Sequence, residues 1–400
     1  MGAPLAGVHV LDMSEFGFVP SAAAVLGDWG ADVVKVERPG GDPLRAHDRM
    51  GMVRGTPDFS VLIEHFNRNK RGVVLDVNMS EGRAALDRLL AWADVFITNF
   101  LPKTLRKLAL TADEVQARFP RLVYVRGTGQ GSRGPDAERP GFDGNSWWAR
   151  GGVAQVLSPP GAFARMRPAL GDGPTGMMLA GGVAAALFER ERTGRGTVVE
   201  ASLLHGAMWT LAPDLTSTAV VGEEPSFAPP TTQLGPLIGA YLTGDQRWLQ
   251  LTMPDERWWG PACRALGLAE LVDDPRYRDS DARAARTDEL RARFGAVIGG
   301  RPLVELEAAL QREGCSFARF ASLTDVLADP QVEANGYTQP HPRHAAARVV
   351  TSPVQFGGEP ATIRVGAPGV GAHTAEVLAE AGLDRGEIDA LLAAGAAVQA

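Results

Sequence analysis

Over its first 200 residues the chain alternates short apolar runs with stretches of helical spacing, which restricts it to a mostly parallel sheet covered by helices. Gly7-Val8-His9-Val10-Leu11-Asp12 reads as a strand and residues 20–29 as a helix of small side chains. Residues 31–37 form a second strand, dense in β-branched residues that suit a buried position. The pattern predicts further strands at 73–77, 94–98, 122–126 and 197–202, with helices over 80–92 and 111–119. A longer helix over 175–192 ends at Thr193-Gly194-Arg195-Gly196, where glycine terminates it. Sheets of this kind bind ligands beyond the carboxyl ends of their strands.

With 400 residues the chain can hold two domains. Residues 213–236, rich in Pro, Thr, Ser and Gly, read as a linker between a large domain over 1–212 and a smaller α+β domain over 237–330. In the smaller domain, runs at 240–243 and 248–251 form a hairpin about Gly244-Asp245, followed by mostly helical sequence. Residues 331–400 read as a second linker and a segment returning to the large domain. A net charge of −7 argues against general nucleic-acid binding while permitting a local basic patch. Cys263 and Cys315 are too few for a disulfide framework and point to a reducing compartment. The longest apolar stretch, 177–188, is too short to span a bilayer, and the amino terminus carries no charged leader. A cytoplasmic protein without membrane attachment is expected.

Leu170-Gly171-Asp172-Gly173-Pro174-Thr175-Gly176 sets one carboxylate among glycines at the mouth of the 175–192 helix. Asp172 suits a helix cap. A cap is the ordinary role for such a residue, but the run also suits a nucleophile, because glycines admit a substrate to the backbone and free N–H groups stabilise an oxyanion. Gly127-Thr128-Gly129-Gln130-Gly131-Ser132 follows a strand but has serine in place of the third glycine and no helix start after it, which argues against a dinucleotide site. His341 and His344 have ligand-like spacing without nearby cysteine or carboxylate, so no metal site is expected. Two basic clusters, Asn67-Arg68-Asn69-Lys70-Arg71 and Lys103-Thr104-Leu105-Arg106-Lys107, fall at loop positions beside the sheet. They read as solvated charge or as a grip on a ligand bearing several phosphates.

In order and spacing these segments, with Pro4-Leu5-Ala6-Gly7, Gly30-Ala31-Asp32, Asn99-Phe100, Pro140-Gly141-Phe142-Asp143 and Asp329-Pro330-Gln331-Val332, resemble the class III CoA-transferases over nearly the whole chain. That family includes formyl-CoA transferase, carnitine CoA-transferase and alpha-methylacyl-CoA racemase. The resemblance implies an α/β fold with a Rossmann-like large domain and a smaller domain, assembled as an interlocked homodimer. It implies acyl-CoA and carboxylic acids as substrates, coenzyme A lying over the large domain, and no tightly bound cofactor or metal. By position, Phe18, Val19, Arg38, Lys70, Asn99, Phe100 and Lys107 match residues that hold CoA. Lys107 stands where formyl-CoA transferase has arginine, and the usual Asn-Phe-Arg-Pro-Gly reads Asn99-Phe100-Leu101-Pro102-Lys103, a loss for which Arg106 or Lys103 compensates.

Asp172 matches the family's catalytic aspartate, which implies an aspartyl anhydride and an aspartyl-CoA thioester as intermediates. Backbone N–H groups near Gly173, or between Gly127 and Gly131, are candidates for the oxyanion donors. A racemase of this family carries a proton-exchanging histidine after the glycine that here is Gly141; this chain has Phe142, which favours transfer over racemisation. A 2-methylacyl-CoA racemase and a non-catalytic CoA-binding homologue remain the alternatives. The run from Gly141 to Gly152 looks more like transferases of branched, aromatic or dicarboxylic acids than like formyl-CoA transferase. Trp147, Trp148, Met177 and Met178 suit an apolar pocket or ordinary core, and Arg150 or Arg165 suits an acceptor carboxylate or plain surface.

Overall fold

The β-branched runs become six parallel strands of one sheet: β1 (His9–Met13), β2 (Asp32–Glu37), β3 (Lys70–Leu75), β4 (Val95–Thr98), β5 (Val123–Thr128) and β6 (Val198–Ser202). Their order is β3-β2-β1-β4-β5-β6, with Ala397–Val398 added antiparallel beside β3. In this computed structural model residues 3–47, 53–56, 58–224 and 235–400 are described. They fall into two units, 1–225 with 333–400, and 226–332.

Strand alternation builds the core of the large unit in two layers. Val10, Val33, Val95 and Val123 are in register and face one side, where they meet helices α1 (Phe18–Asp28) and, further along the chain, Asp172–Thr193. Leu11, Val34, Phe96 and Tyr124 face the other side, against Ser80–Trp92, Ala112–Arg118 and Thr374–Glu380. Every residue of α1 is buried. It lies so close to the helix Asp172–Thr193 that a Cβ at Gly176 would overlap Ser21 Oγ.

The chain runs from β1 outward to β3, then returns to β4 beside β1 and proceeds the other way. This reversal opens a crevice at the carboxyl ends of β1 and β4, the place where open α/β sheets take ligands. The loops leaving those two strands carry residues 14–17 and 99–101.

Three local expectations change. Lys70 and Arg71 open β3 instead of preceding it, with Arg68 and Asn69 in the turn before them, and residues 102–107 form a helix, so the second basic cluster does not lie in a loop. Residues 213–221, expected within a linker, belong to a helix, Ala212–Val221: Pro213 sits in the first turn, where no N–H is needed, and Thr216 and Thr218 donate to the carbonyls four residues earlier at 2.8 and 2.9 Å. The rest of that expected linker lies largely outside the described residues. In the C-terminal segment the strands Thr338–His341 and His344–Val350 pair as a hairpin that the sequence pattern did not mark.

The second unit is α+β. Ile238–Leu242 and Trp248–Thr252 form the expected hairpin about Gly244-Asp245, and Phe317–Arg319 adds a third antiparallel strand. Leu249 and Leu251 bury one face of it against Trp259, Phe294 and Leu306 of the surrounding helices.

Candidate active site

The loop leaving β1 is held by a buried set of charges. Asp12 accepts from Lys70 Nζ at 2.7 Å and from the Ser14 hydroxyl, while Lys35 Nζ donates to the Ser14 carbonyl at 2.8 Å and pairs with Asp42 at 2.9 Å. Asp42 in turn accepts the Phe16 N–H at 3.2 Å, and the Asn99 amide bonds both backbone groups of Glu15 at 3.0 and 2.7 Å. Burial opposes ionisation of Asp12, but the Lys70 and Lys35 ammoniums outweigh it and hold the carboxyl below its ordinary range. Burial lowers Lys70 to about 8 despite Asp12.

These bonds hold Phe16 at φ 67°, a conformation that costs a bulky side chain about 1–3 kcal/mol and persists only where neighbours enforce it. A Cβ on the following Gly17 would overlap Asp172 Oδ2, so any larger residue there displaces the carboxylate. Gly17 is the N-cap of α1, so the Asp172 carboxylate stands at the positive end of that helix. The first-turn N–H groups of Phe18 and Val19 have no intrahelical acceptor.

Asp172 is the first residue of its own helix, and Gly171 occupies the N-cap position. The cap role expected for Asp172 passes to Asp143, which opens a short π-helical stretch, Asp143–Ala149, and accepts the Gly171 N–H at 3.0 and 3.2 Å. Further N–H groups, from Asp172 and Leu170, also point at Asp143. A Cβ on Gly171 would collide with Trp147, which explains the glycine before the aspartate. Burial raises Asp143 to about 6, a rise that these N–H groups moderate. Burial, and then the Asp143 charge, push Asp172 up to about 8. The α1 terminus acts in the opposite direction, favouring the carboxylate.

Three clefts meet in sequence along this crevice. One, at the ends of β1 to β3, is lined by Glu15, Arg38, Asn78, Phe100, Thr104 and Lys107. It shares Glu15 and Phe100 with a second, bounded by Phe18, Asn99, Gly127 to Gly131, Phe142 and Asp172. A third, of about 490 Å³, shares Phe16, Gly17, Phe142, Asp143 and Asp172 with the second and no residue with the first. Asp172 is thus at the junction of the second and third. Among the described residues no histidine lines any of them.

The crevice therefore gathers Phe18, Arg38, Asn99, Phe100, Lys107 and Asp172 from the residues singled out by sequence. Lys70 is excluded from it: 1% exposed, it donates to Asp12, to the Pro20 carbonyl and to Asn67, leaving no ammonium for a phosphate. The Val19 side chain is fully buried beneath Gly127. Arg106 is exposed and pairs with Glu138 at 2.8 Å. Gly173 is no oxyanion donor, since its N–H bonds the Ala169 carbonyl at 3.2 Å, and the Gly131 N–H is taken by Thr128 Oγ1 at 3.0 Å. Trp147 is core at 5% exposure, with Trp148 and Met177 packed against the same cluster, whereas Met178 is exposed. Arg150 pairs with Asp136 at 2.6 Å, and Arg165 lines the third cleft. His341 is buried against Glu64 at 2.8 Å.

Sequence reasoning missed the roles of Asp143 and Gly17. Pro140-Gly141-Phe142-Asp143 marked the segment without showing that its aspartate caps a helix 29 residues on. Among the described residues no group of three or more His, Cys, Asp or Glu side chains is placed to hold a metal, and no helix is long and apolar enough to cross a membrane.

The family model of CoA-transferase family III matches residues 5–374. The (R)-2-hydroxy-4-methylpentanoate CoA-transferase of Clostridioides difficile is 33% identical, over 96% of this chain and 97% of its own. The cinnamoyl-CoA:phenyllactate CoA-transferase of Clostridium sporogenes is 31% identical, over 96% and 95%. A crystal structure of a CAIB/BAIF family protein from Brucella suis superposes with a TM-score of 0.78 at 28% identity, covering 95% of this chain and all of that one.

Proposed function

The chain belongs to CoA-transferase family III and is a CoA-transferase acting on carboxylic acids, and on that premise we propose that Asp172 is the residue on which CoA changes partner. An Asp172 carboxylate oxygen attacks the thioester carbon of an acyl-CoA, the C–S bond breaks, and an acyl-aspartyl anhydride and CoA thiolate result. The thiolate attacks the aspartyl carbonyl, releasing the donor as its carboxylate and leaving an aspartyl-CoA thioester. An acceptor carboxylate attacks that thioester and expels the thiolate again. The thiolate then takes the new acyl group and frees Asp172. No net proton is required.

The observation that carries this reading is the position of Asp172: at the junction of two clefts and against the N-terminus of α1. The N–H groups of Phe18 and Val19 replace those of Gly173 as donors to the tetrahedral oxygen. Coenzyme A lies along the first two clefts, with Arg38 and Lys107 toward its phosphates, Phe100 and Asn99 along its length, and Arg106 and Lys103 on the adjoining helix. Residues 1–212, with the returning C-terminal segment, form the CoA-binding part. Phe142, half-exposed and packed edge-on against Phe16 at 5.1 Å, offers no proton to a substrate α-carbon, which favours transfer over racemisation.

We also propose a homodimer, in the interlocked form the resemblance implies. The helix Ala212–Val221 buries none of its residues: its Leu215, Val220 and Val221 are exposed, as is Trp209 just before it. An apolar face of that kind is normally covered. Light scattering on the eluting protein should give twice the chain mass; a monomer removes this part of the reading. The two unpaired cysteines suit a cytoplasmic setting.

The mechanism is tested by intact-protein mass after incubation with a panel of acyl-CoA donors, followed by hydroxylamine. An adduct of CoA mass on the wild type, released by hydroxylamine and absent from Asp172→Ala, is expected. Undiminished CoA exchange by Asp172→Ala would show the nucleophile to be another group.

A further inference from the structure

The third cleft lies beyond Asp172 from the CoA path and has a different chemistry. Leu44, Leu62, Phe66, Phe142 and Met166 give its wall an apolar character. Leu62 and Phe66 come from the helix Val61–Asn67, which the Glu64–His341 bond at 2.8 Å fastens to the C-terminal hairpin, so this wall is set by buried contacts. A cavity of about 490 Å³ is within the range that encloses a small organic ligand. Two guanidiniums, of Arg165 and Arg167, stand on its lining strand of coil. Both are exposed, and among the described residues neither has an ion-pair or hydrogen-bond partner, in a chain where most other arginines are paired.

We propose that this cleft receives the hydrocarbon body of a monocarboxylic acid and that Arg165 and Arg167 hold the acid's carboxylate beside Asp172 before it reacts and after it is released. The inference rests on Asp172 being the nucleophile. A carboxylate approaching Asp172 and Asp143 meets like charge, and guanidiniums on the lining of the same cleft offset that repulsion and fix the carboxylate plane when they close on it. The wall selects the rest of the molecule. Leu44, Leu62 and Phe66 offer no donor to a second carboxylate, which, with both arginines engaged by the first, would lose its hydration there without a partner. Branched aliphatic or aryl monocarboxylic acids fit, and short dicarboxylic acids do not. The bound acyl group of an acyl-CoA has no free carboxylate, so the two arginines act on the acid and not on the thioester.

The test measures two rates on the intact enzyme: formation of the CoA adduct from isovaleryl-CoA or phenylacetyl-CoA, and transfer from that adduct to isovalerate, phenylacetate, succinate or glutarate. The expected result is transfer to the two monocarboxylic acids at least tenfold more efficient than to the two dicarboxylic acids. Arg165→Gln/Arg167→Gln should raise KM for the acid tenfold or more while leaving adduct formation within about twofold. Because both side chains are exposed, the double variant should fold as the wild type does. Leu62→Trp, which narrows the wall, should depress transfer to phenylacetate more than to acetate. Equal or better use of glutarate, or a double variant that changes adduct formation and acid KM alike, overturns the proposal while leaving Asp172 in place. Failure of any donor to form an adduct defeats the nucleophile first and the acid site with it.

Discussion

The two basic clusters, residues 67–71 and 103–107, are alike in composition and opposite in surroundings. In the first, Arg68 makes bonds of 2.7 to 3.2 Å to Asp28, Asn69 donates to Asp28 at 2.9 Å and accepts the backbone N–H groups of Arg364 and Val365, and Lys70 is enclosed with Asp12. Arg71 reaches Asp32, Glu376 and Glu380. In the second, only Leu105 is buried, and Lys107 lines a cleft with a single amide partner, Asn78, at 3.0 Å. What separates them is the carboxylates that the fold brings opposite: Asp12, Asp28 and Asp32 on neighbouring elements in one case, exposed Glu138 in the other. A run of positive charge therefore becomes scaffold or ligand grip according to its partners.

The largest expected effect breaks that contrast. Lys70→Met leaves Asp12 buried with one cation fewer and should destabilise the protein by about 3–5 kcal/mol in urea unfolding, with Asp12→Asn/Lys70→Met less affected than Lys70→Met alone. Were Lys70→Met as stable as wild type and defective only in its KM for acyl-CoA, the lysine would belong with the ligand after all.

A second prediction carries the contrast between enclosed and available charge to the two carboxylates. Only carboxylate Asp172 attacks, so kcat/KM should fall as pH drops through about 8. The Asp143 charge helps to raise Asp172; removing it in Asp143→Asn should move that acid limb to lower pH, since Asp172 then ionises more readily. A limb moving to higher pH, or not moving, would show that Asp143 acts on Asp172 through shape alone.

The smallest effect concerns the open cluster. Lys107→Gln should leave the unfolding midpoint unchanged and raise KM for acyl-CoA roughly fivefold, about 1 kcal/mol for one partly solvated charge, with the difference shrinking in high salt. A loss of stability without change in KM would place Lys107 with Lys70.

Much of the fold was legible before the structure. The strands and the helices Ser80–Trp92 and Ala112–Arg118 follow from local spacing, and a glycine-bounded helix start beside Asp172 from turn chemistry, although the helix begins at Asp172 itself, three residues before the expected Thr175. The helix Ala212–Val221 was not legible, because Pro, Thr and Ser read as loop until their placement in the first turn and their bonds to preceding carbonyls are seen. The C-terminal hairpin was not legible either, since prolines interrupt its pattern and its stability comes from contacts such as His341 with Glu64, 277 residues apart.

By itself the sequence determined an α/β chain and an aspartate at a glycine-lined helix start; that Phe142 stands where a racemase carries its histidine follows from the resemblance to the family. The first two are consequences of periodicity, backbone freedom and side-chain chemistry, each confined to a few neighbouring residues. Only the tertiary structure decided which charges are enclosed and which are available: Lys70 against Lys107, Asp143 against Asp172. Desolvation and Coulomb attraction depend on what surrounds a group in space, and the partners Asp12 with Lys70 and Asp28 with Arg68 lie 58 and 40 residues apart along the chain.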